Sequence, residues 1–559
     1  MVMVFSAVAA AAIIVYNNPT VHEPSVNYPY APDENQAILS FPFIRPETPA
    51  LSRFGVRFTV LKHSFASQNF RLSPDDCIEA IAVDGKSLPE INSTDLRERC
   101  FPNSYVLDLA PYLQDQDKAD VAVTVIASSG RSGLDVSGAF PGSAVLGLLI
   151  CMTFFLVALF WEHLKMPSKA TVADLRQFAP VIIIFAASAF LFWLGGWGGQ
   201  EYVPDFGNNG SDMGWRGWTA NWDGQWYATI VHRGYFFYPG LESTVVFFPL
   251  CPLCAWLLTH LLDWDPITCL LIVSNLSCFA FAIIFYRYCR LRLGDETSAR
   301  RALLLMFFWP SSYFLHAPYT ESTFVLLLAL LLLGFQLEWS LGWVIFIAGL
   351  AAACRSTGLA GAAAVGWYAW RKLKNRPLPA RIALTTLSLV AASWGLWVYM
   401  AYLSMKFSEP LAFVVAQKAW SISVGSSLDH LLAALTLAPI RQNFLDCFIS
   451  PITISNFILN SVLWLTALAF VLIGLFKKWL KGEEIILAVL LLCVPYFLVA
   501  PLNTMQSVGR YSLVALPVFT CLSRWLAVRP AWQTGVLIGL SAVLMVLYTA
   551  LFAQRYSVF

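Results

Sequence analysis

Apolar runs recur along most of this chain. They lie near 143–161, 179–198, 245–262, 267–289, 302–315, 323–337, 340–354, 358–370, 381–404, 458–476, 485–500, 512–528 and 532–553. Lys and Arg collect in the short loops between them. So much apolar surface cannot be hidden in a water-soluble core, and helices that cross lipid satisfy their own backbone groups. Charge content agrees: 13% of residues are charged, against about 25% in an ordinary soluble domain. The expected fold class is an α-helical polytopic membrane protein with about 11–14 transmembrane segments, several runs falling short of the roughly 20 residues of a comfortable span. Net charge is +2 and no basic stripe exists, so nucleic acid is not an expected partner.

Residues 1–16 form a short apolar segment, an N-terminal anchor or signal-like stretch. Residues 17–140 differ. Val56–Leu61, Ile78–Val83, Tyr105–Leu109 and Val121–Ile126 alternate apolar with polar residues, and turn formers such as Asp84-Gly85 separate them. The spacing predicts an extracytoplasmic β-sandwich. Its order of motifs resembles jelly-roll carbohydrate-binding modules; a domain that merely props the rest is the alternative. Residues 143–559 make up the transmembrane domain.

Orientation follows from the basic loops. Lys165, Lys169 and Arg176 mark one, Arg287, Arg290, Arg292, Arg300 and Arg301 a second, Arg371, Lys372, Lys374, Arg376 and Arg381 a third, and Lys477, Lys478 and Lys481 a fourth. With these in the cytoplasm, the loop around Asp223, residues 319–321, Arg355, residues 405–457 and residues 501–511 all face outward. Consistency requires that either 245–262, broken by Pro249 and Pro252, or 302–315 does not fully cross.

The outward loops hold the chemistry-bearing residues. Asn221-Trp222-Asp223-Gly224-Gln225-Trp226-Tyr227, followed by His232, sets a carboxylate among aromatic rings at a membrane boundary. A carboxylate there suits a general base that takes the proton of a sugar hydroxyl; an N-cap and an interfacial aromatic belt are the plain alternatives. Tyr319-Thr320-Glu321-Ser322 opens a further apolar run, with Glu321 either orienting substrate or favourable in a first helical turn. Arg355, between two apolar runs, needs an anion: a lipid-linked phosphate, or Glu321. Arg510-Tyr511, Gln506 and His430 lie in other outer loops. Phe413 to Trp420, with Gln417, reads as an interfacial amphipathic helix.

No phosphate-cradling glycine loop and no Rossmann glycine pattern occurs, so a soluble nucleotide donor has no recognisable site. Cys251 and Cys254 have metal-ligand spacing but sit in an apolar segment without a second ligand pair, and no metal or other cofactor is expected. Cys77 and Cys100 are candidates for a disulfide.

In this order, Trp222-Asp223 with Tyr227 and Gly234-Tyr235, Phe247-Phe248-Pro249, Tyr319-Thr320-Glu321-Ser322, Arg355-Ser356-Thr357-Gly358, Phe413/Gln417/Trp420 and Arg510-Tyr511 resemble the PIG-V family of GPI mannosyltransferase 2-like enzymes over about 179–553. The resemblance implies a GT-C-like fold. It also implies inverting transfer, usually of mannose, from a polyprenyl- or dolichyl-phosphate sugar on the extracytoplasmic side. Asp223 matches the family's first-loop carboxylate. Gln225 and Trp226 stand where eukaryotic members carry an acid and a histidine. That departure and the β-domain point to a bacterial homologue in the inner membrane with its site facing the periplasm, or to an ER lumenal site in a eukaryote.

The expected function is thus a membrane glycosyltransferase whose partners are a polyprenyl-phosphate sugar donor, a lipid-linked or glycan acceptor and membrane lipids. Asp223 is the expected catalytic residue. Trp222, Gln225, Trp226, Tyr227, His232, Tyr319, Glu321, Gln417 and Trp420 are the expected substrate contacts, and Arg355, Arg510 and Tyr511 the donor-phosphate contacts. A lipid or solute transporter without catalysis is the alternative, since buried charge and broken helices also mark transport paths.

Overall fold

The computed structural model describes residues 21–27, 36–37, 43–48, 53–61, 69–74, 77–88, 105–109, 111–113, 116–126, 130–138, 178–203, 214–238, 240–420, 435–438, 440–441, 459–499 and 507–556. Residues 1–16, the run 143–161, Cys100, His430, Gln506 and the side chain of Trp420 lie outside them.

The described residues fall into two compact units. The first gathers the N-terminal strands with Thr229–Phe236 and Trp256–Pro266. Its strands are β1 (Val21–Asn27), β2 (Gln36–Ala37), β3 (Phe43–Thr48), β4 (Arg53–Leu61), β5 (Asn69–Pro74), β6 (Cys77–Val83), β7 (Lys86–Ser87), β8 (Tyr105–Asp108), β9 (Lys118–Ile126) and β10 (Gly130–Gly138). They form two antiparallel sheets, ordered β2-β1-β4-β9-β6-β7 and β3-β10-β5-β8. The register pairs Phe54 with Val125, Val56 with Val123, Phe58 with Val121 and Val60 with Ala119. All eight side chains are buried, together with Phe70, Leu72, Leu107 and Leu134 of the other sheet. The period-two alternation of the sequence is therefore what fills this core. The β6–β7 hairpin turns on Asp84 and Gly85, both at positive φ, as a two-residue turn demands. Cys77 is disulfide-bonded.

The second unit is helical. Its elements in chain order are α1 (Ala179–Tyr202), α2 (Trp215–Thr219), α3 (Asp223–Arg233), α4 (Leu250–Leu262), α5 (Pro266–Leu293), α6 (Glu296–Phe307), α7 (Glu321–Gln336), α8 (Leu341–Cys354), α9 (Leu359–Lys372), α10 (Leu378–Ala391), α11 (Trp394–Phe407), α12 (Ala412–Ala416), α13 (Leu459–Phe476), α14 (Gly482–Val499), α15 (Val508–Val514), α16 (Pro517–Ala527) and α17 (Ala531–Ala553). The helices α3 and α4 each have part of their length in the first unit.

Among the described residues, α1, α5, α13 and α17 are long and apolar enough to cross a membrane, and α10 with α11 form an apolar pair bent by 52°, the shape of a broken span or a re-entrant loop. The chain is a multi-pass membrane protein. Several of the apolar runs are broken along their length. Run 245–262 divides at Pro249 into a 3-10 turn and α4; run 302–315 ends as a helix at Phe307, ahead of Pro310; run 512–528 divides at Leu516-Pro517 into α15 and α16. Neither of the two runs that left the topology open is one continuous span.

The breaks create buried helix ends, and charge gathers at them. At one end of α7 and α9 stand Glu321 and Arg355. At the other end, Arg371 bonds Glu483 and Glu338, each at 2.8 Å, and Lys481 bonds Gln336 at 2.8 Å. Nearby in the same unit, Arg292 holds Glu484 with two bonds of 2.6 and 2.9 Å. A helix of 16 residues such as α7 separates its two charged ends by about 24 Å.

Candidate active site

The site starts from a strained turn. Trp222 has φ 59°, a left-handed backbone that costs a bulky L-residue energy. It opens α3, whose first turn closes through Gly224 N–H to Asn221 O (3.3 Å) and Gln225 N–H to Trp222 O (3.1 Å). Asn221 is gripped from two sides. Its Nδ2 donates to Phe552 O at 2.9 Å and its Oδ1 accepts from Arg555 Nε at 3.2 Å, both at the end of α17. Its carbonyl accepts the Tyr319 hydroxyl at 2.7 Å. The turn presents Asp223 as the first residue of α3, where the helix macrodipole favours a carboxylate.

The segment between α6 and α7 forms the second wall. Trp309 Nε1 donates to Ser512 Oγ at 3.0 Å and Ser311 Oγ to Gly509 O at 3.3 Å, tying it to α15. His316 lies 2.9 Å from Asn275 Oδ1 and 3.0 Å from Ser188 Oγ, and Ser274 Oγ donates to Tyr319 O at 2.9 Å. These bonds fix Tyr319 and the start of α7, where Glu321 is buried.

Four charged side chains then join into one chain. Arg510 Nη1 is 2.7 Å from Asp223 Oδ2 and 3.8 Å from Glu321 Oε1. Arg355 Nη1 donates to the same Glu321 Oε1 and lies 3.4 Å from Thr320 Oγ1, which in turn is 3.3 Å from the Tyr227 hydroxyl. The Arg355 guanidinium lies 5.6 Å from the centre of the Tyr511 ring, and Arg510 5.5 Å from that of Phe314. The group is graded in exposure: the Asp223 side chain is 22% exposed, Arg510 11% and Glu321 1%. Burial works against the charge on both arginines, and the carboxylates override it and raise their pKa values, so both stay cationic. Burial pushes the Tyr227 phenol well above its ordinary range, leaving it a neutral hydroxyl. Two carboxylates facing two guanidiniums give a formally neutral group whose outermost member is Asp223.

The other expected residues divide. Trp222 and Gln225 are exposed beside Asp223, and Trp226 stacks at 15° on Phe247, 6.0 Å away. His232 comes nine positions after Asp223, two and a half turns along α3, so it points from the opposite face. Gln417 ends α12 behind Phe413, which packs on Phe248 at 5.5 Å; it bonds none of the four charged groups. Arg355, for which an anion was expected, has Glu321 as that anion. Among the described residues no cluster of three or more His, Cys, Asp or Glu is arranged to hold a metal. Sequence reasoning did not single out Gly509 or the Phe552 carbonyl, since backbone acceptors and a glycine's lack of a side chain leave no charge pattern to read; Arg555 was also missed, although its charge beside an apolar run was a signal.

Residues 204–376 match the family model described as mannosyltransferase (PIG-V). No curated protein matches the chain. Among solved structures, the Archaeoglobus fulgidus oligosaccharyltransferase in the apo form is similar at 14% identity and a TM-score of 0.40, over 68% of this chain and 56% of that one. The archaeal oligosaccharyltransferase AglB from the same organism, in complex with an inhibitory peptide and a dolichol-phosphate, is similar at 13% identity and a TM-score of 0.38, over 70% of this chain and 56% of that one. This chain therefore spans just over half the length of those proteins. The part of it that carries Asp223, Glu321 and Arg355 is similar to the PIG-V mannosyltransferases, a family of membrane glycosyltransferases.

Proposed function

We propose that this membrane glycosyltransferase-like chain moves a mannosyl group from a polyprenyl or dolichyl phosphate to a hydroxyl of a lipid-linked or glycan acceptor, with inversion, on the extracytoplasmic face. The observation that carries the proposal is the ion pair of Asp223 with Arg510, backed by Glu321 and Arg355. It joins the two groups that such a transfer needs. Asp223 accepts the proton of the acceptor hydroxyl as its oxygen attacks the anomeric carbon. On the opposite side the anomeric carbon–oxygen bond breaks, and the electron pair goes to the phosphate. Arg510 and Arg355 meet the charge that develops there. The exposed ring of Trp222 and the half-buried ring of Trp226 offer flat apolar faces for a sugar. The basic end of α7 and α9 supports a cytoplasmic assignment for that end, and hence an outward one for Asp223. The bacterial inner membrane is the setting we assign, and we read the two N-terminal sheets as a sandwich on the same outer side.

The test is transfer by the purified protein in liposomes, offered a panel of polyprenyl-phosphate sugars. Mannose should be transferred, and Asp223→Asn should reduce turnover by about 100-fold or more. Full turnover in that variant would remove Asp223 as the base, and movement of lipid without transfer of sugar would favour a transporter.

A further inference from the structure

Arg510 has one guanidinium and two claims on it. In the structure its Nη1 holds Asp223 Oδ2 at 2.7 Å. In the proposed reaction the same guanidinium must face the donor phosphate. We infer that Asp223 and the donor phosphate exclude each other on Arg510, so that Asp223 is released to act as a base only when the anionic donor has taken its place. The inference rests on the proposed donor class and adds an order to it: donor first, acceptor second.

Three observations carry it. The first is position: Asp223 is the more exposed partner, at 22% against 11% for Arg510, so an anion arriving from outside meets the pair on its Asp223 side. The second is charge: Asp223, Glu321, Arg355 and Arg510 sum to zero, and a bound phosphodiester adds one negative charge. As the anomeric bond breaks the phosphate gains a second negative charge, and the proton that Asp223 takes from the acceptor hydroxyl offsets it, which links donor binding to base function. The third is the inner partner: Glu321 is 1% exposed, is bonded to Arg355 and lies 3.8 Å from Arg510. It stays in place as the arginines change their outer partner, and its Oε2 accepts no hydrogen bond among the described residues. While Asp223 Oδ2 is held by Arg510 that oxygen is not open to an acceptor hydroxyl, so this arrangement also keeps the protein from activating an acceptor, or water, before a donor is present.

The experiment is a binding measurement that needs no turnover. Undecaprenyl phosphate and, in parallel, inorganic phosphate are titrated into the full chain in nanodiscs, comparing the wild type with Asp223→Asn. Asparagine has the same shape and no charge. Exclusion requires the variant to bind undecaprenyl phosphate more tightly, by about tenfold, equivalent to about 1.4 kcal/mol. In an Arg510→Gln background the Asp223→Asn change must no longer alter affinity. Thermal unfolding of each variant checks that it is folded, with Arg510→Lys as the milder substitute. Equal or weaker binding by Asp223→Asn overturns the inference. Tighter binding of inorganic phosphate, with undecaprenyl phosphate ignored, keeps the exclusion and removes the lipid-donor reading. Failure of every variant to bind either probe removes both.

Discussion

Arg510 reaches across 287 residues of sequence to place its Nη1 2.7 Å from Asp223 Oδ2. The contact joins α15 to the first turn of α3. Because Glu321 Oε1 lies 3.8 Å from the same nitrogen, the outer carboxylate and the inner one share a single cation. Loss of either acid therefore has different consequences, and the two are separable by experiment.

Glu321 is the inner anion for both arginines. Glu321→Gln keeps the shape and removes the charge, leaving two buried guanidiniums opposed by Asp223 alone. The expected loss of stability is about 3–5 kcal/mol, read as a lowered unfolding temperature in detergent. Glu321→Asp, which keeps the charge, should lose less. Equal unfolding temperatures for wild type and Glu321→Gln would show that the pair adds nothing to the fold.

Tyr319 acts on Asp223 through the chain, by donating to Asn221 O at 2.7 Å. Tyr319→Phe deletes that one bond, worth about 1 kcal/mol. A turn held less firmly should lower kcat by about tenfold, the rate equivalent of about 1.4 kcal/mol, with KM for the donor nearly unchanged. A change confined to KM would mean that Tyr319 contacts substrate instead.

Trp222 stands at φ 59° with its side chain exposed. Glycine adopts that backbone without strain, so Trp222→Gly should leave stability level or raise it by about 1 kcal/mol. Activity should nonetheless fall, because the ring beside Asp223 is gone. Stability lost together with activity would mark Trp222 as a packing residue.

Gly509 precedes Arg510, and a Cβ there would sit 2.1 Å from Asn460 Oδ1 and 3.3 Å from the Asn460 backbone. Asn460 is itself buried. Gly509→Ala therefore displaces Asn460 or α15, and the expectation is that α15 moves and carries Arg510 with it. A displacement near 1 Å at such a site costs about 100-fold in rate. Near-normal kinetics in a folded Gly509→Ala protein would show that Arg510 tolerates the movement.

Much of this was legible in the residues, for a physical reason. Asp223, Glu321, Arg355 and Arg510 are charges set against long apolar runs, where charge is costly unless it is partnered, so composition alone draws the eye to them. Which charge meets which is a matter of distance, and distance is not written in the chain. Arg355 stood open between a phosphate and Glu321, and only the fold pairs it with Glu321. Alternation marked β4 and β9 because each buries every second side chain, and it marked β6 although a register shift between Ile78 and Ala80 interrupts the pattern there. The breaks in runs 245–262 and 302–315 were hard to see because Pro249 and Pro310 interrupt helices without changing hydropathy. The grip on Asn221 was illegible, since its acceptors are the carbonyls of Phe552 and Ala553.

That grip has a temporal consequence. The turn before Asp223 is secured by groups 331 and 334 positions later. During synthesis, α3 reaches the membrane long before α17 exists, so the carboxylate has no fixed aim until the final described helix has been threaded and docked. A nascent chain stalled before that helix would carry every charged member of the site and still be unable to work.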